Sequence, residues 1–212
     1  MLRVGILGVQ GDIEEHTLSI LKVMKSNGLK GEVLQVKSNG ELSSIDGLII
    51  PGGESTNIGG LISSRGLLKP IRDRLYNGMP ALGTCAGLIV LAKKCYDRVV
   101  GDKSQPTLGV MDVVVERNSY GRQKESFEAD LDIPILGAEK FRGVFIRAPT
   151  IVDIGSNVKV LSRLNDSIVA VQEGNIIGTT FHPELVEDTR LHRYFLEIIE
   201  GNIPQSKPRF LP

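Results

Sequence analysis

The chain carries a glycine-flanked cysteine between two apolar runs, and few folds can accommodate that arrangement. Residues 83–87 read Gly-Thr-Cys-Ala-Gly, directly after the apolar run 79–82 and directly before the apolar run 88–92. The pattern predicts a strand, a sharp turn and a helix, with the side chain of Cys85 forced out at the sheet edge. At the helix N-terminus the dipole and the free N–H groups favour the thiolate, the reactive form of cysteine. Cys85 is therefore a candidate nucleophile.

Short apolar runs alternate with helical patterns through the first half of the chain. Strands are predicted over 2–9, 32–36 and 48–50, and a helix over 67–76. Another helix opens at Asp12, which forms a capping-box pattern with Glu15. Its predicted buried face consists of Ile13, Thr17, Ile20, Leu21 and Met24. Buried strands that alternate with helices imply a parallel sheet covered on both faces.

The second half of the chain is rich in strands. They are predicted over 113–115, 126–131, 144–146, 159–161, 168–171 and 176–180, before a closing helix over 189–199. These strands could extend the sheet in antiparallel fashion. We expect one α/β domain over 1–201, a three-layer sandwich around a mostly parallel sheet with antiparallel additions, and a C-terminal tail over 202–212.

The composition excludes several classes of protein. The 212 residues carry a formal net charge of zero, so nothing indicates a nucleic-acid or anionic-membrane partner. The apolar runs are shorter than the roughly 20 residues that a membrane-spanning helix needs. The chain enters a strand at once, which leaves no room for a signal peptide. Cys95, expected at a helix end, and Cys85 make no disulfide framework, so we expect a cytoplasmic protein.

A partner for Cys85 stands at the end of the predicted strand 176–180. His182 is followed by Pro183 and Glu184, so an imidazole and a carboxylate lie two positions apart at a strand end. In an extended chain Glu184 lies on the same side as His182 and can orient the ring. The two other histidines, His16 and His192, fall within helices and are interpreted as ordinary helix residues. Cys85, His182 and Glu184 thus form a candidate catalytic triad.

Two backbone N–H groups could form an oxyanion hole beside this triad. Residues 51–55 read Pro-Gly-Gly-Glu-Ser at the end of a strand, and Gly53 lets its backbone approach a substrate carbonyl. The N–H of Ala86, directly after the nucleophile, supplies the second donor. The glycines at 5, 8 and 11 do not match a dinucleotide fingerprint, although Gln10 could join the rim of the site. We expect no cofactor and no metal, because the His and Cys residues form no ligand-spaced cluster.

Arg117 and Arg147 each stand at a predicted strand end. Most arginines in such positions are solvated surface residues. A small amino-acid substrate, however, needs a fixed cation for its α-carboxylate, and the planar guanidinium suits that group. From the residues alone both interpretations stay open.

The motifs together resemble those of the triad-type (class I) glutamine amidotransferases. Several blocks are similar, more closely, to the family of glutaminase subunits of pyridoxal 5′-phosphate synthase. The blocks cover 8–11, 51–56, 83–89, 116–123, 126–130, 145–149 and 181–185. They span nearly the whole chain, and those around Arg117 and Arg147 are particular to this family.

The resemblance implies hydrolysis of L-glutamine to L-glutamate and ammonia, with Cys85 as the nucleophile and with His182 and Glu184 completing the triad. The residues implied to contact glutamine are Gly53, Glu54, Ser55, Arg117, Ile146 and Arg147. The ammonia would pass to a separate synthase subunit, which makes pyridoxal 5′-phosphate from a pentose phosphate and a triose phosphate. In the family a dodecameric synthase core carries glutaminases around its outside, and each glutaminase is poorly active until it docks.

Two other functions remain as alternatives. One is a cysteine hydrolase or peptidase of related topology, which would not need paired arginines for an α-carboxylate. The other is a non-catalytic regulatory module that has kept the fold. An intact triad disfavours the second alternative.

Overall fold

The computed structural model describes residues 1–97, 105–117 and 126–203. Residues 118–123 of the Arg117 motif and 204–212 of the predicted tail lie outside the described residues. The helices are α1 (Ile13–Ser26), α2 (Asn39–Ser43), α3 (Ser55–Ser64), α4 (Leu68–Tyr76), α5 (Ala86–Leu91) and α6 (Arg190–Ile199). The strands are β1 (Leu2–Leu7), β2 (Gly31–Val36), β3 (Gly47–Ile50), β4 (Ala81–Thr84), β5 (Ala92–Asp97), β6 (Met111–Arg117), β7 (Ser126–Leu131), β8 (Phe141–Ile146), β9 (Thr150–Ile154), β10 (Lys159–Leu164), β11 (Ser167–Glu173) and β12 (Ile176–Thr179).

A large mixed sheet forms the centre of the molecule. Its order is β2-β1-β3-β4-β12-β11-β9-β6-β5, with β10 paired to β11. The first five strands of this order run parallel, and the pairs that β11 makes with β12, β10 and β9 are antiparallel. The predicted fold class, a mostly parallel sheet with antiparallel additions, is confirmed. Because β1, β3, β4 and β12 are parallel neighbours, the loops at their carboxyl ends open on one edge of the sheet.

Helices cover both faces of the parallel part of the sheet. Buried residues of α3, α4 and α5 pack on one face, and those of α1 and α6 pack on the other, together with Phe141 and Phe145 of the β7–β8 hairpin. In α6 Leu191, Tyr194, Phe195 and Ile198 are buried. The predicted face of α1 is partly wrong.

The buried face of α1 consists of His16, Ser19, Ile20, Val23 and Met24, whereas Leu21 of the predicted face is exposed. His16 of α1 faces inward, where Glu184 and His192 lie within contact distance of its ring. None of the helices in the described part of the chain combines the length and the apolar character that a bilayer crossing requires.

Several elements differ from the sequence-based expectation, among them the short helix α2, which was not predicted. Residues after the Pro-Gly-Gly turn form helix α3, although Gly59 and Gly60 stand in its middle. Cys95 lies in strand β5, paired with Val115, and not at a helix end, because α5 stops at Leu91. Strand β9 was not predicted, and it links β6 to β11. For α3, β5 and β9, pairing or packing with distant residues outweighs weak local preference.

Candidate active site

Cys85 occupies a strained turn between β4 and α5. Its φ is 49° and its ψ is −101°, and 7% of its surface is exposed to solvent. Such a conformation costs a non-glycine residue about 1–3 kcal/mol and persists only where the surroundings enforce it. One enforcing contact is the backbone N–H of Cys85, which donates to the Thr179 carbonyl at 2.8 Å. Another is Gly87, where an added Cβ would overlap the carbonyl of Ile50 at the end of β3.

His182 and Glu184 follow β12 at the same sheet edge. The N–H of His182 donates to the Val144 carbonyl at 2.8 Å, and the chain then makes a 3-10 turn over Pro183–Leu185. The expected extended chain is therefore wrong for this pair. The turn instead brings Oε1 of Glu184 to 2.8 Å from Nδ1 of His182. The Glu184 side chain is fully buried, so the carboxylate can hold the ring without competition from solvent.

A second carboxylate, missed in the sequence, also faces His182. Oδ2 of Asp12 lies 3.3 Å from Nδ1 of the ring, and its side chain is 34% exposed. The predicted capping box with Glu15 is wrong, because Asp12 makes no side-chain cap to α1. Its carboxylate turns toward the imidazole instead. The loop after β1 thus supplies a charged group as well as part of the rim.

The charges around His182 favour the protonated ring. Burial disfavours the cation, but hydrogen bonds with both carboxylates and with the Cys85 thiol outweigh that effect and raise the pKa of His182 to about 12. The hydrogen bond with His182 lowers the pKa of Asp12. Burial raises the pKa of Glu184, and the hydrogen bond and the charge of His182 oppose that rise. The site therefore stores the proton on the imidazole.

The sequence-based interpretation of His16 and His192 as ordinary helix residues is wrong. Both are fully buried, and Nδ1 of His16 lies 3.0 Å from Nε2 of His192. Nε2 of His16 lies 3.2 Å from Oγ1 of Thr84, the residue before Cys85, and 3.4 Å from Oε2 of Glu184. Helix spacing showed only that these residues could face the sheet. It could not show that they would meet each other beneath the triad.

A cavity of about 410 Å³ opens in front of Cys85 and His182. Glu184 lies behind His182 and does not line it. The other expected site residues in its wall are Gly53, Glu54, Ser55, Ala86, Arg117, Ile146 and Arg147, joined by Gln10, Asp12, Ile89 and Pro149. The volume suits a ligand of amino-acid size.

The two arginines enter the cavity in different ways. The guanidinium of Arg117, 20% exposed, donates to Oγ1 of Thr56 at 2.7 Å and to Oε1 of Gln105, and lies 3.5 Å from Asp97. Arg147 is exposed and has a φ of 45°, another backbone conformation that is rare for residues other than glycine. The structure thus brings both cations to one cavity, although Arg117 ends β6 and Arg147 follows β8.

The loop after β3 is fixed by its own polar groups. The carboxylate of Glu54 accepts hydrogen bonds from the N–H groups of Thr56 and Asn57 at 3.1 and 2.7 Å, and so caps α3. Gly53 has a φ of 144°. The carbonyl of Gly52 faces Gly11, where an added Cβ would overlap it, so the N–H of the same planar peptide, that of Gly53, points the opposite way.

Ala86 is the first residue of α5, and its N–H is among those that no intrahelical carbonyl can satisfy. Beside it, Sγ of Cys85 lies 3.9 Å from the carbonyl oxygen of Ile146. Sγ of Cys85, the N–H of Ala86 and the wall at Ile146 therefore lie side by side.

Asp12, His182 and Glu184 are also the described residues that could hold a metal ion, with ligand atoms within 4.8 Å of one another. Nδ1 of His182 already bonds Glu184. A metal at this place would have to displace the proton that the ring shares with that carboxylate. The donor set therefore suits imidazole orientation better than metal binding.

The fold and the site together define an α/β protein with a Cys-His-Glu arrangement at the carboxyl edge of a parallel sheet. Comparison with known proteins identifies the family within this class. The chain belongs to the SNO glutamine amidotransferase family, whose model matches residues 6–201.

Curated relatives agree with this assignment. The chain is 49% identical over 203 residues to the pyridoxal 5′-phosphate synthase subunit PdxT of Aeropyrum pernix, covering 94% of this chain and 100% of the relative. It is 46% identical over 198 residues to the PdxT subunit of Nitrosopumilus maritimus, covering 93% and 97%.

Solved structures show the same fold. A crystal structure of a glutamine amidotransferase matches with a TM-score of 0.81 at 45% identity, covering 93% of this chain and 98% of that chain. The structure of PurLQS from Thermotoga maritima matches with a TM-score of 0.68 at 17% identity, covering 93% and 99%, and shows the fold alone.

Proposed function

We propose that this chain hydrolyses L-glutamine to L-glutamate and ammonia, and that a separate synthase subunit uses the ammonia to make pyridoxal 5′-phosphate. Family membership and the names of the PdxT relatives support both parts. The observation that carries the chemistry is the strained Cys85, which shares one cavity with His182 while Glu184 holds Nδ1 of that ring. We place the enzyme in the cytoplasm, where a reduced Cys85 persists.

The proposed reaction begins with transfer of the Cys85 proton to His182. The raised pKa of His182 makes the ring a strong acceptor for this proton. The thiolate attacks the side-chain amide carbon, and the N–H groups of Gly53 and Ala86 stabilise the oxyanion. His182 then gives its proton to the departing nitrogen, so the C–N bond breaks, ammonia leaves and a glutamyl thioester remains on Cys85.

Hydrolysis of the thioester returns the enzyme to its starting state. The neutral ring of His182 takes a proton from water, and the resulting hydroxide attacks the thioester carbon. The C–S bond breaks, glutamate leaves, and the proton is again shared between ring and thiolate. Glu184 stabilises the ring cation in both halves of the reaction.

The opposite end of the cavity would hold the amino-acid group of glutamine. Arg117 and Arg147 are the cations available for the α-carboxylate, and Ile146 supplies a wall beside Cys85. We assign contacts with the substrate to the loop of Gly53, Glu54 and Ser55 as well. Since the Glu54 carboxylate already caps α3, its contribution would come from the backbone and from a fixed loop shape.

We further propose that the synthase subunit docks on this chain in a hetero-oligomer and completes the oxyanion hole, with glutaminases around a dodecameric synthase core. Such assembly would link ammonia production to the presence of its consumer. The resemblance of the sequence motifs carries this part of the proposal.

Glutamate release from L-glutamine, measured with and without a purified synthase subunit, tests the proposal. We expect activity that rises with the synthase and is abolished by Cys85→Ala. Cys95→Ala is the matched control, because Cys95 lies in β5 away from the cavity, and it should keep wild-type activity. No glutamate release by folded protein with a competent synthase would overturn the assignment, and peptide hydrolysis would then favour the cysteine peptidase alternative.

A further inference from the structure

Two buried histidines lie behind the triad and continue its row of polar groups into the core. His16 stands on α1 and His192 on α6, and both rings are completely shielded from solvent. Nδ1 of His16 lies 3.0 Å from Nε2 of His192. On its other side His16 presents Nε2 to Oε2 of Glu184 at 3.4 Å, while Oε1 of Glu184 holds His182 at 2.8 Å. A continuous row therefore runs from His192 through His16 and Glu184 to His182.

Both core histidines are neutral near pH 7. Burial, followed by the charges of His192 and His182, lowers the pKa of His16 well below its usual value. Burial lowers the pKa of His192 to about 4. A neutral imidazole has one N–H and one bare nitrogen, so the pair can be arranged in two ways.

The surroundings select one arrangement. If His192 donates from Nε2 to His16, then Nε2–H of His16 faces the carboxylate of Glu184 and the hydroxyl of Thr84. The leftover bare nitrogen is Nδ1 of His192, which has no hydrogen-bond partner among the described residues. The reverse arrangement would leave a buried N–H on that atom without an acceptor and would aim a lone pair of His16 at a carboxylate, which is costly.

We propose that His16 is a positioning residue of the triad, whose Nε2–H lies 3.4 Å from Oε2 of Glu184 and stabilises that oxygen electrostatically so that Oε1 stays on His182, and that His192 fixes the tautomer of His16. This inference rests on the proposed function. Among the described residues, no side chain makes a hydrogen bond to Oε2 of Glu184 that satisfies ordinary geometry, so the His16 dipole is its polar support. Without that support the oxygen would be buried with no donor, a state that a carboxylate avoids by taking up a proton or rotating away.

Within the described part of the chain, three charged or titratable side chains face Glu184. They are His182 in the turn that contains Glu184, His16 from α1, and Asp12, whose charge also raises the pKa of Glu184. Removal of the His16 donor should therefore let Glu184 protonate at a higher pH. The ring of His182 would then lose its closest counter-charge, and activity would fall on the acid side first.

Two amide variants separate positioning from simple core packing. In His16→Gln the amide nitrogen can occupy the place of Nε2 and face Glu184, whereas in His16→Asn the shorter amide lies at the place of Nδ1 and faces His192. Both are neutral and polar, so they are matched in burial cost. We expect His16→Asn to lose about 10-fold to 100-fold in kcat with little change in KM, a part of the effect that general acid–base catalysis supplies. His16→Gln should recover most of this loss.

The acid side of the pH profile is the decisive readout. For His16→Asn the acid limb of kcat/KM should move to higher pH relative to wild type and His16→Gln. Equal kcat values and equal acid limbs for the two variants would overturn the proposal, because packing alone would then account for both. Thermal unfolding identifies a variant that does not fold, and His192→Leu then gives the second test, with the same direction of shift and a smaller size. An unshifted acid limb in folded His192→Leu would overturn the tautomer assignment.

A measurement without glutamine keeps this test separate from that of the proposed function. The rate at which iodoacetamide modifies Cys85 is followed against pH by mass spectrometry, with Cys95 as the internal reference. Because the reactive thiolate depends on the His182 cation, its acid limb should move upward in His16→Asn and not in His16→Gln. This holds even if the wild-type chain releases no glutamate. An identical alkylation profile in wild type and His16→Asn would contradict the role of His16.

Discussion

Replacement of Gly87 by alanine tests whether close packing of α5 on β3 holds Cys85 in its strained turn. The new Cβ would lie 2.8 Å from the carbonyl carbon of Ile50 and would overlap its oxygen. Ordinary carbon–carbon contacts begin at about 3.5 Å, so the helix start must move by about 0.7 Å or more. Overpacking of this kind costs about 1–3 kcal/mol. Alanine gains about 0.5–1 kcal/mol over glycine inside a helix, so the overlap dominates.

The expected result is a modest loss of stability and a larger loss of rate. A domain of this size loses about 2–4 °C in Tm for each kcal/mol, so a net cost of up to about 2.5 kcal/mol predicts a fall of up to about 10 °C. A misplacement near 1 Å costs about 100-fold in rate, so kcat for glutamine should fall by about 10-fold to 100-fold. The assay is synthase-activated glutamate release, with Tm from calorimetry on the same samples.

Gly60→Ala is the matched control, because a Cβ at this exposed position of α3 meets nothing within 4 Å. It should keep wild-type kcat and should not lower Tm. If Gly87→Ala kept both the wild-type kcat and the wild-type Tm, the contact between α5 and Ile50 would not be what positions Cys85.

Three further substitutions probe the polar groups of the site. Glu184→Gln should lower kcat by about 100-fold to 10,000-fold, because the ring loses its buried counter-charge; a loss below 10-fold in glutamate release would contradict this role. Asp12→Asn should cost less activity, since Asp12 is partly exposed. The pKa of Asp12 is lowered from 3.8, so its carboxylate should stabilise the fold above pH 4, and this contribution should vanish as the pH falls further. The free energy of unfolding in urea, measured for wild type and variant, checks this, and a difference that grows toward low pH would refute it. Arg117→Lys should raise KM for glutamine by about 10-fold or more with a smaller effect on kcat, because lysine lacks the planar fork, and an unchanged KM would exclude Arg117 from substrate binding.

Local sequence patterns were sufficient to predict much of the parallel sheet. Glycine spacing next to apolar runs predicts the turn around Cys85 and the loop before Glu54. The parallel topology then brings both to one edge of the sheet. His182 was found because it stands directly after a strand. The same patterns did not predict α3, whose paired glycines are poor helix formers, or β5, whose lysines are unusual in a strand that packs on the core.

The polar groups behind the triad could not be predicted in this way. Asp12 looked like a helix cap because an aspartate before a helix usually is one, yet its carboxylate bonds a ring 170 positions away in sequence. His16 and His192 lie on helices at opposite ends of the chain, and helix periodicity carries no information about which distant side chains will meet. Such long-range pairs are determined by the packing of α1 against α6.

Covalent labelling with a diazoketone analogue of L-glutamine tests the central claim most directly. The reagent should alkylate Cys85 of the chain bound to its synthase, and L-glutamine should slow the labelling in proportion to its occupancy of the cavity. Peptide mapping by mass spectrometry should place the whole label on Cys85 and none on Cys95. Equal labelling of the Cys85→Ala variant, or labelling of Cys85 that L-glutamine does not slow, would contradict the claim that this cysteine is the nucleophile of a glutamine site.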